Sequence, residues 1–323
     1  MRKNTGSTGT RGSTGSPAAP EIPQTANTAS APCKESHIFA AEEKQVLSLS
    51  DVTYRYGKHQ AEVLKGVSFA AKPGDFIAVL GPNGVGKSTM FKCLLGFFKT
   101  YGGDIRLGGK DIRTLSHKEI AKQIAYIPQS TYPTFNYEVL DVVLMGMTAQ
   151  LSILSSPKKE HIRRAEEALK SLGIGHLARA GFGEISGGER QLVLIARALV
   201  QDAKIFVMDE PTANLDYGNQ IRVMRRVEEL AHEGYVVVLS THNPEHAFLY
   251  ANRVLILNGG EVTADGAPDA VLDEDMMRQV YGIDVSIKEF SDEDGTHRVC
   301  VPKRGDEQHD GKYRNGQNFD NIN

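Results

Sequence analysis

The sequence predicts an α/β fold in which helices pack on a parallel sheet, and three observations predict it. Continuous apolar runs at Phe76-Ile77-Ala78-Val79-Leu80, Ile205-Phe206-Val207-Met208 and Val236-Val237-Val238-Leu239 read as strands covered on both faces. Apolar residues at helical spacing (Ile162, Ala165, Leu169, Leu172, then Leu192, Ile195, Ala196, Leu199) read as amphipathic helices between those strands. A glycine-rich loop joins the first run to a helix beginning near Met90.

In chain order, residues 1–43 are rich in Thr, Gly, Ser, Ala and Pro and nearly free of large apolar side chains. Such a segment cannot bury enough surface to offset its ordering entropy, so a disordered tail is expected there. Val46 to Leu49, Val52 to Tyr54 and Val63 to Phe69 form a β-rich opening that ends at the Pro73-Gly74 turn. Alternation returns at Val285/Ile287 and Val299/Val301 around Asp294-Gly295, the pattern of a terminal hairpin. Residues 303–323 are polar again and read as a second tail. The 44–302 stretch between the tails is the expected folded domain.

The net charge of -3 leaves no basic footprint, so a nucleic-acid partner is not expected. Three scattered cysteines, Cys33, Cys93 and Cys300, form no C-x-x-C pair and suit a reducing compartment. No apolar run reaches the roughly eighteen residues of a spanning helix, and no secretory h-region follows Arg2 and Lys3. A soluble cytosolic chain is the expectation.

The chemistry starts at Gly81-Pro82-Asn83-Gly84-Val85-Gly86-Lys87-Ser88-Thr89. Glycines after a strand let backbone N–H groups curl around a polyphosphate, and the helix start adds its positive dipole end. Lys87 is then within reach of the β- and γ-phosphates, and Ser88 offers a hydroxyl to Mg²⁺. The strand at 205–208 ends in Asp209-Glu210-Pro211. Ligands of open α/β sheets collect at the carboxyl ends of strands, so both acids should face the phosphate loop. Asp209 is expected on the metal, directly or through its water, and Glu210 on the attacking water. The strand at 236–239 leads through Ser240 and Thr241 to His242, a further candidate for the γ-phosphate or the water. Ser186-Gly187-Gly188-Glu189-Arg190-Gln191 opens the next helix, with Ser186 as its cap and the glycines admitting close backbone approach, a second anion site.

This ordered set of motifs resembles an ATP-binding-cassette ATPase, and the resemblance covers nearly all of Val46 to Pro302. It implies a RecA-like P-loop NTPase core with a parallel sheet, an antiparallel β subdomain and a helical subdomain inserted at about 130–200. ATP and Mg²⁺ are the implied cofactors. Tyr56, in Tyr-Arg-Tyr-Gly, sits where the family stacks an aromatic on adenine. Gln129, in Ala-Tyr-Ile-Pro-Gln, sits where the family's glutamine reaches Mg²⁺ and the water. Asn214-Leu215-Asp216 matches the loop that crosses to a second cassette. The signature carries Ile185 and Glu189 in place of the commoner Leu and Gln. A two-fold, head-to-tail homodimer follows, each copy's Ser186 and Gly188 completing the other's nucleotide site. ATP binding closes that dimer and hydrolysis reopens it.

Features outside the ATP chemistry resemble importers of iron chelates, haem and cobalamin, the iron-siderophore ATPases fitting best. They are Asp141-Val142-Val143-Leu144-Met145-Gly146, Ser156-Pro157-Lys158-Lys159, Leu215 to Gln220, His242 to Phe248, and Val280-Tyr281-Gly282-Ile283. Met147, where Arg is usual, and Asn243, where Asp is usual, depart from that group. Tyr132, Phe135 and Tyr137 read either as loop packing or as a seat for a permease helix. The resemblance implies two permease subunits, an extracytoplasmic binding protein, and a place at the cytoplasmic face of the membrane. The alternatives are a cobalamin, haem or metal-ion importer ATPase, or a non-transport cassette factor. That last class needs two cassettes or long coiled-coil arms, and a P-loop kinase lacks Ser186-Gly187-Gly188.

Overall fold

The computed structural model describes residues 45–129, 136–150, 156–213, 215–292 and 295–303. The expected tail at 1–43 lies outside the described residues, as does all but Lys303 of the tail expected at 303–323, and so do Asn214, Tyr132, Phe135 and Asp294 of the expected turn.

In chain order, β1 (Leu47–Tyr54), β2 (Leu64–Ala71) and β3 (Phe76–Leu80) precede α1 (Lys87–Leu94). Then come β4 (Gly102–Leu107), β5 (Lys110–Asp111), α2 (His117–Ala121) and β6 (Ile124–Ile127). Three helices follow: α3 (Val139–Leu144), α4 (Lys159–Ser171) and α5 (Gly187–Val200). The chain returns to the sheet with β7 (Ile205–Asp209), α6 (Tyr217–His232), β8 (Val236–Ser240), α7 (Pro244–Tyr250), β9 (Arg253–Asn258) and β10 (Glu261–Gly266). It closes with α8 (Pro268–Val271), α9 (Glu274–Tyr281), β11 (Val285–Asp292) and β12 (Gly295–Pro302).

The central sheet runs β10-β9-β3-β8-β7-β6, parallel from β9 to β6 with β10 antiparallel at its edge. β3 and β8 are buried along their whole length, which is why their sequences are unbroken apolar runs. Neighbouring side chains on these strands enter different cores. Phe206 and Met208 join the helices α3 to α6, whereas Ile205 and Val207 face the core under β1, β2 and α1. Ala78 and Leu80 meet Met276 and Met277 of α9 in a third cluster.

The second sheet, β2-β1-β4-β5, is antiparallel, as the resemblance implies. The two β segments expected at 46–54 are one strand whose register slips between Leu49 and Val52, where Asp51 takes φ 49°. Helices α3 to α5 fall within the inserted stretch expected at about 130–200. There the turn after α3 lies directly against the α5 backbone: a Cβ on Gly146 would collide with the Arg197 carbonyl oxygen. Met147, the neighbouring residue, is wholly buried in that core. The terminal hairpin is present, with Val285 opposite Pro302 and Asp292 opposite Gly295. Just past β12, the Lys303 N–H donates to the Asp284 carbonyl at 2.9 Å.

Candidate nucleotide site

The phosphate loop is shaped by backbone that only glycine supplies. Gly81 has φ 152°, and a Cβ there would collide with the Leu257 carbonyl oxygen of β9. Gly86 caps α1 at φ 113°, close against Leu64 and Val63. Lys87 is buried and donates from Nζ to the carbonyls of Gly81 at 2.6 Å and Pro82 at 3.0 Å. Burial pushes its pKa down, and the nearby carboxylates of Glu210 and Asp209 push back. The loop's own carbonyls thus hold a cation at the place where a polyphosphate would attract it.

An open cleft of about 510 Å³ lies over the loop, bounded by Tyr56, Asn83, Ser88, Thr89, Gln129 and Glu210. Tyr56 is half exposed, at 52 %, and its hydroxyl lies 3.0 Å from Thr89 Oγ1. Its ring sits edge-on to Tyr54 and Phe98, which fixes one edge and leaves an open face.

The carboxylates meet at the ends of β7 and β8. Asp209 stands opposite Ser240 in the parallel register. Ser240, fully buried, donates its hydroxyl to Asp209 Oδ1 at 2.7 Å and accepts the Glu210 N–H at 3.0 Å. Its carbonyl takes the same N–H at 3.2 Å. Glu210 needs this support because it occupies φ 44°, a conformation costly for a non-glycine residue. Its Oε2 accepts from Gln129 Nε2 at 2.9 Å and lies 3.6 Å from His242 Nδ1. His242 is largely exposed, whereas Glu210 is mostly covered. His246, one turn into α7, is the buried histidine: burial pushes its pKa down, and Nδ1 sits 3.4 Å from Thr241 Oγ1.

The cleft is thus lined by Tyr56, residues of the 81–89 loop, Gln129 and Glu210, with His242 beside Glu210 and Asp209 joined to it through Ser240. Ser186, Gly187, Gly188 and Asp216 are not among the described residues lining it. They form a second group. Ser186 caps α5 by accepting the Glu189 N–H at 3.3 Å, and Glu189 Oε2 accepts the Ser186 N–H at 2.8 Å and hydroxyl at 2.7 Å. A Cβ on Gly188 would overlap the Asn219 side chain, which Asp216 holds through N–H and Nδ2 at 2.9 and 2.7 Å. Both groups contain residues the sequence reading omitted. Ser240 was visible only as part of a polar strand end, and Asn219 only as part of a subfamily string.

A glycine loop between a buried strand and a helix, faced by two strand-end carboxylates, defines a P-loop NTPase. The sequence profile of the ABC transporter family matches residues 64–213. The hemin import ATP-binding protein HmuV of Hahella chejuensis is 34 % identical, over 71 % of this chain and 91 % of its own. The molybdate import ATP-binding protein MolC of Haemophilus influenzae is 37 % identical, over 66 % of this chain and 79 % of its own. An inward-facing ABC transporter assigned to the metal-chelate type superposes with TM-score 0.70 at 31 % identity, over 80 % of this chain and 98 % of that one. The chain belongs to the ABC transporter family as an importer ATPase, and its activity is ATP hydrolysis.

Proposed function

We propose that the chain hydrolyses ATP as a head-to-tail homodimer beneath two permease subunits, at the cytoplasmic face of a membrane, to drive uptake of a ferric siderophore or related iron complex. An extracytoplasmic binding protein delivers the cargo. The observation that carries the hydrolytic part is the cluster at the cleft mouth, where Glu210 Oε2 meets both Gln129 and His242. In this reading Lys87 leaves the Gly81 and Pro82 carbonyls for the β- and γ-phosphates, so its position is set before substrate arrives. Glu210 takes the attacking water's proton or orients that water, while Gln129 holds its carboxylate and His242 turns toward the γ-phosphate. Tyr56 offers its open face to adenine, and Gly81 to Thr89 wrap the phosphates.

Magnesium fits the donors present. Ser88 supplies a hydroxyl, Gln129 an amide oxygen, and Asp209 the carboxylate oxygen that Ser240 leaves free, a hard oxygen set with few carboxylates. When bound, the ion neutralises charge on the β- and γ-phosphates. Ser186, Gly187, Gly188 and Asp216 make sense of their separation from the cleft if they serve the nucleotide of the second copy. The iron-chelate cargo is supported by the metal-chelate transporter and the hemin relative, while the molybdate relative keeps the class of cargo wider. No helix among the described residues is long and apolar enough to cross a membrane, which agrees with attachment through permeases.

The test is Glu210→Gln, measured for Mg-ATP binding, turnover and mass in solution together with its permease. Retained binding, a turnover loss of about a thousandfold and an ATP-dependent dimer are expected. Continued hydrolysis would reject the role of Glu210, and a strictly monomeric variant would reject the composite site. Growth on single iron sources after deletion checks the cargo.

A further inference from the structure

A side chain from the C-terminal part of the chain, beyond the matched stretch 64–213, reaches the backbone of the phosphate loop. Tyr281, the last residue of α9, accepts the Gly81 N–H at its hydroxyl, at 3.2 Å and across 200 residues of sequence. Gly81 is where β3 ends and the loop begins. Any side chain there would strike the β9 backbone at Leu257, so the loop starts at a point fixed by β9 and by this hydroxyl. Burial pushes the Tyr281 phenol up to about 12, so the group is a neutral hydroxyl across the physiological range.

The position of Tyr281 is itself secured. Met276 and Met277 of α9 pack with Ala78 and Leu80 of β3, and Asp273 caps the helix by accepting the Met276 N–H at 2.7 Å. Gly282 ends α9 in the left-handed region at φ 70°, immediately after Tyr281. Arg278 spans that end to Asp284 at 2.6 Å. Glu274 binds the terminal hairpin, accepting the Ile287 N–H at 3.2 Å and the Lys303 ammonium at 2.8 Å. The hairpin braces the helix, and the helix holds Tyr281 over the loop.

We infer that Tyr281 is a positioning residue for ATP binding, fixing the first amide of the phosphate loop from the C-terminal helix. The inference rests on the proposal above that residues 81–89 are the triphosphate seat. A loop that binds phosphate through its amides gains affinity from being held in the bound shape beforehand, and releasing Gly81 widens the shapes it must give up. Glu210 and Gln129 do not touch Tyr281, so the loss falls on binding and not on the chemical step.

The full chain carrying Tyr281→Phe, which keeps the ring, tests this. ATP Kd and KM should rise about three- to tenfold, the effect of one neutral hydrogen bond, while kcat stays within about twofold. Amide hydrogen exchange in the peptide spanning Ile77 to Gly86 should quicken, and the melting temperature should stay close to that of the native chain. Tyr281→Leu, which also removes packing, should show the same rise in Kd with a lower melting temperature. Native-like Kd and exchange in Tyr281→Phe would overturn the inference. Lys87→Ala separates the two levels. If it binds ATP normally, the phosphate seat lies elsewhere. If it loses ATP while Tyr281→Phe binds as the native chain does, only the role of Tyr281 falls.

Discussion

Replacing Ser240 by Ala removes a single oxygen that supports both strand-end carboxylates. The hydroxyl donates to the Asp209 carboxylate at 2.7 Å and receives the Glu210 N–H at 3.0 Å from a backbone held at φ 44°. A hydrogen bond to a charged group contributes about 1.5–3 kcal/mol, and the lower end applies because Asp209 is partly exposed to water. The Glu210 N–H keeps the Ser240 carbonyl at 3.2 Å, so it is not stranded. A stability loss of about 1.5–2 kcal/mol follows, which lowers the melting temperature by roughly 3–8 °C in a domain of this size. A catalytic effect accompanies the stability effect, because Glu210 loses one of the two contacts that fix its backbone. If about 1.4 kcal/mol of that loss is felt in the transition state, kcat falls about tenfold. Differential scanning fluorimetry and a phosphate-release assay across ATP concentrations measure both quantities, with KM for ATP expected to move less than threefold. Native melting temperature and native kcat in the same preparation would refute the claim that Ser240 organises the acids.

Gly146→Ala should lower the melting temperature by several degrees, since its Cβ collides with the Arg197 carbonyl and overpacking costs about 1–3 kcal/mol; an unchanged melt would show that the turn after α3 can move off α5. Gly188→Ala should displace Asn219, free the Asp216 cap and cost about 1 kcal/mol, and adding Asn219→Ala should restore part of it if the overlap is the cause. Glu189 predicts an acid dependence. Its two hydrogen bonds from Ser186 hold its pKa below the ordinary 4.5, so the unfolded chain takes up the proton first. The stabilisation is therefore complete above about 4.5 and fades as pH falls through the lower folded value. Melts from pH 7 to 3 should show native and Glu189→Gln chains converging at the acid end, and a difference constant with pH would contradict the assignment.

The strands at 76–80, 205–209 and 236–240 were legible because parallel strands buried on both faces must be apolar throughout, and turns then stand out at their ends. The phosphate loop and the two acids were legible for a related reason, since their chemistry needs particular residues at fixed chain distance. Ser240 was not, because a serine at a strand end is ordinary until the register sets it opposite Asp209. Short β6 offers only Ile124 to Ile127, too few residues to distinguish strand from buried helix. By contrast α6 carries a clear helical repeat in Val223, Met224, Val227, Leu230 and Ala231. The facing of Met147 is likewise a matter of tertiary packing, since it is buried beside Gly146, whose backbone lies against Arg197 of α5. Tyr281 was visible as part of a C-terminal string, but its contact with Gly81 belongs to tertiary structure alone.

The division of β7 between two cores limits how this ATPase can change over evolutionary time. Inserting one residue ahead of Phe206 would send Phe206 and Met208 toward the space filled by Ile205 and Val207, and would turn the two acids through half a pleat with them. Insertions tolerated in loops elsewhere are thus closed to this strand. Its length is inherited together with its chemistry, and new specificity has to be built at positions that leave the count from Ile205 to Glu210 untouched.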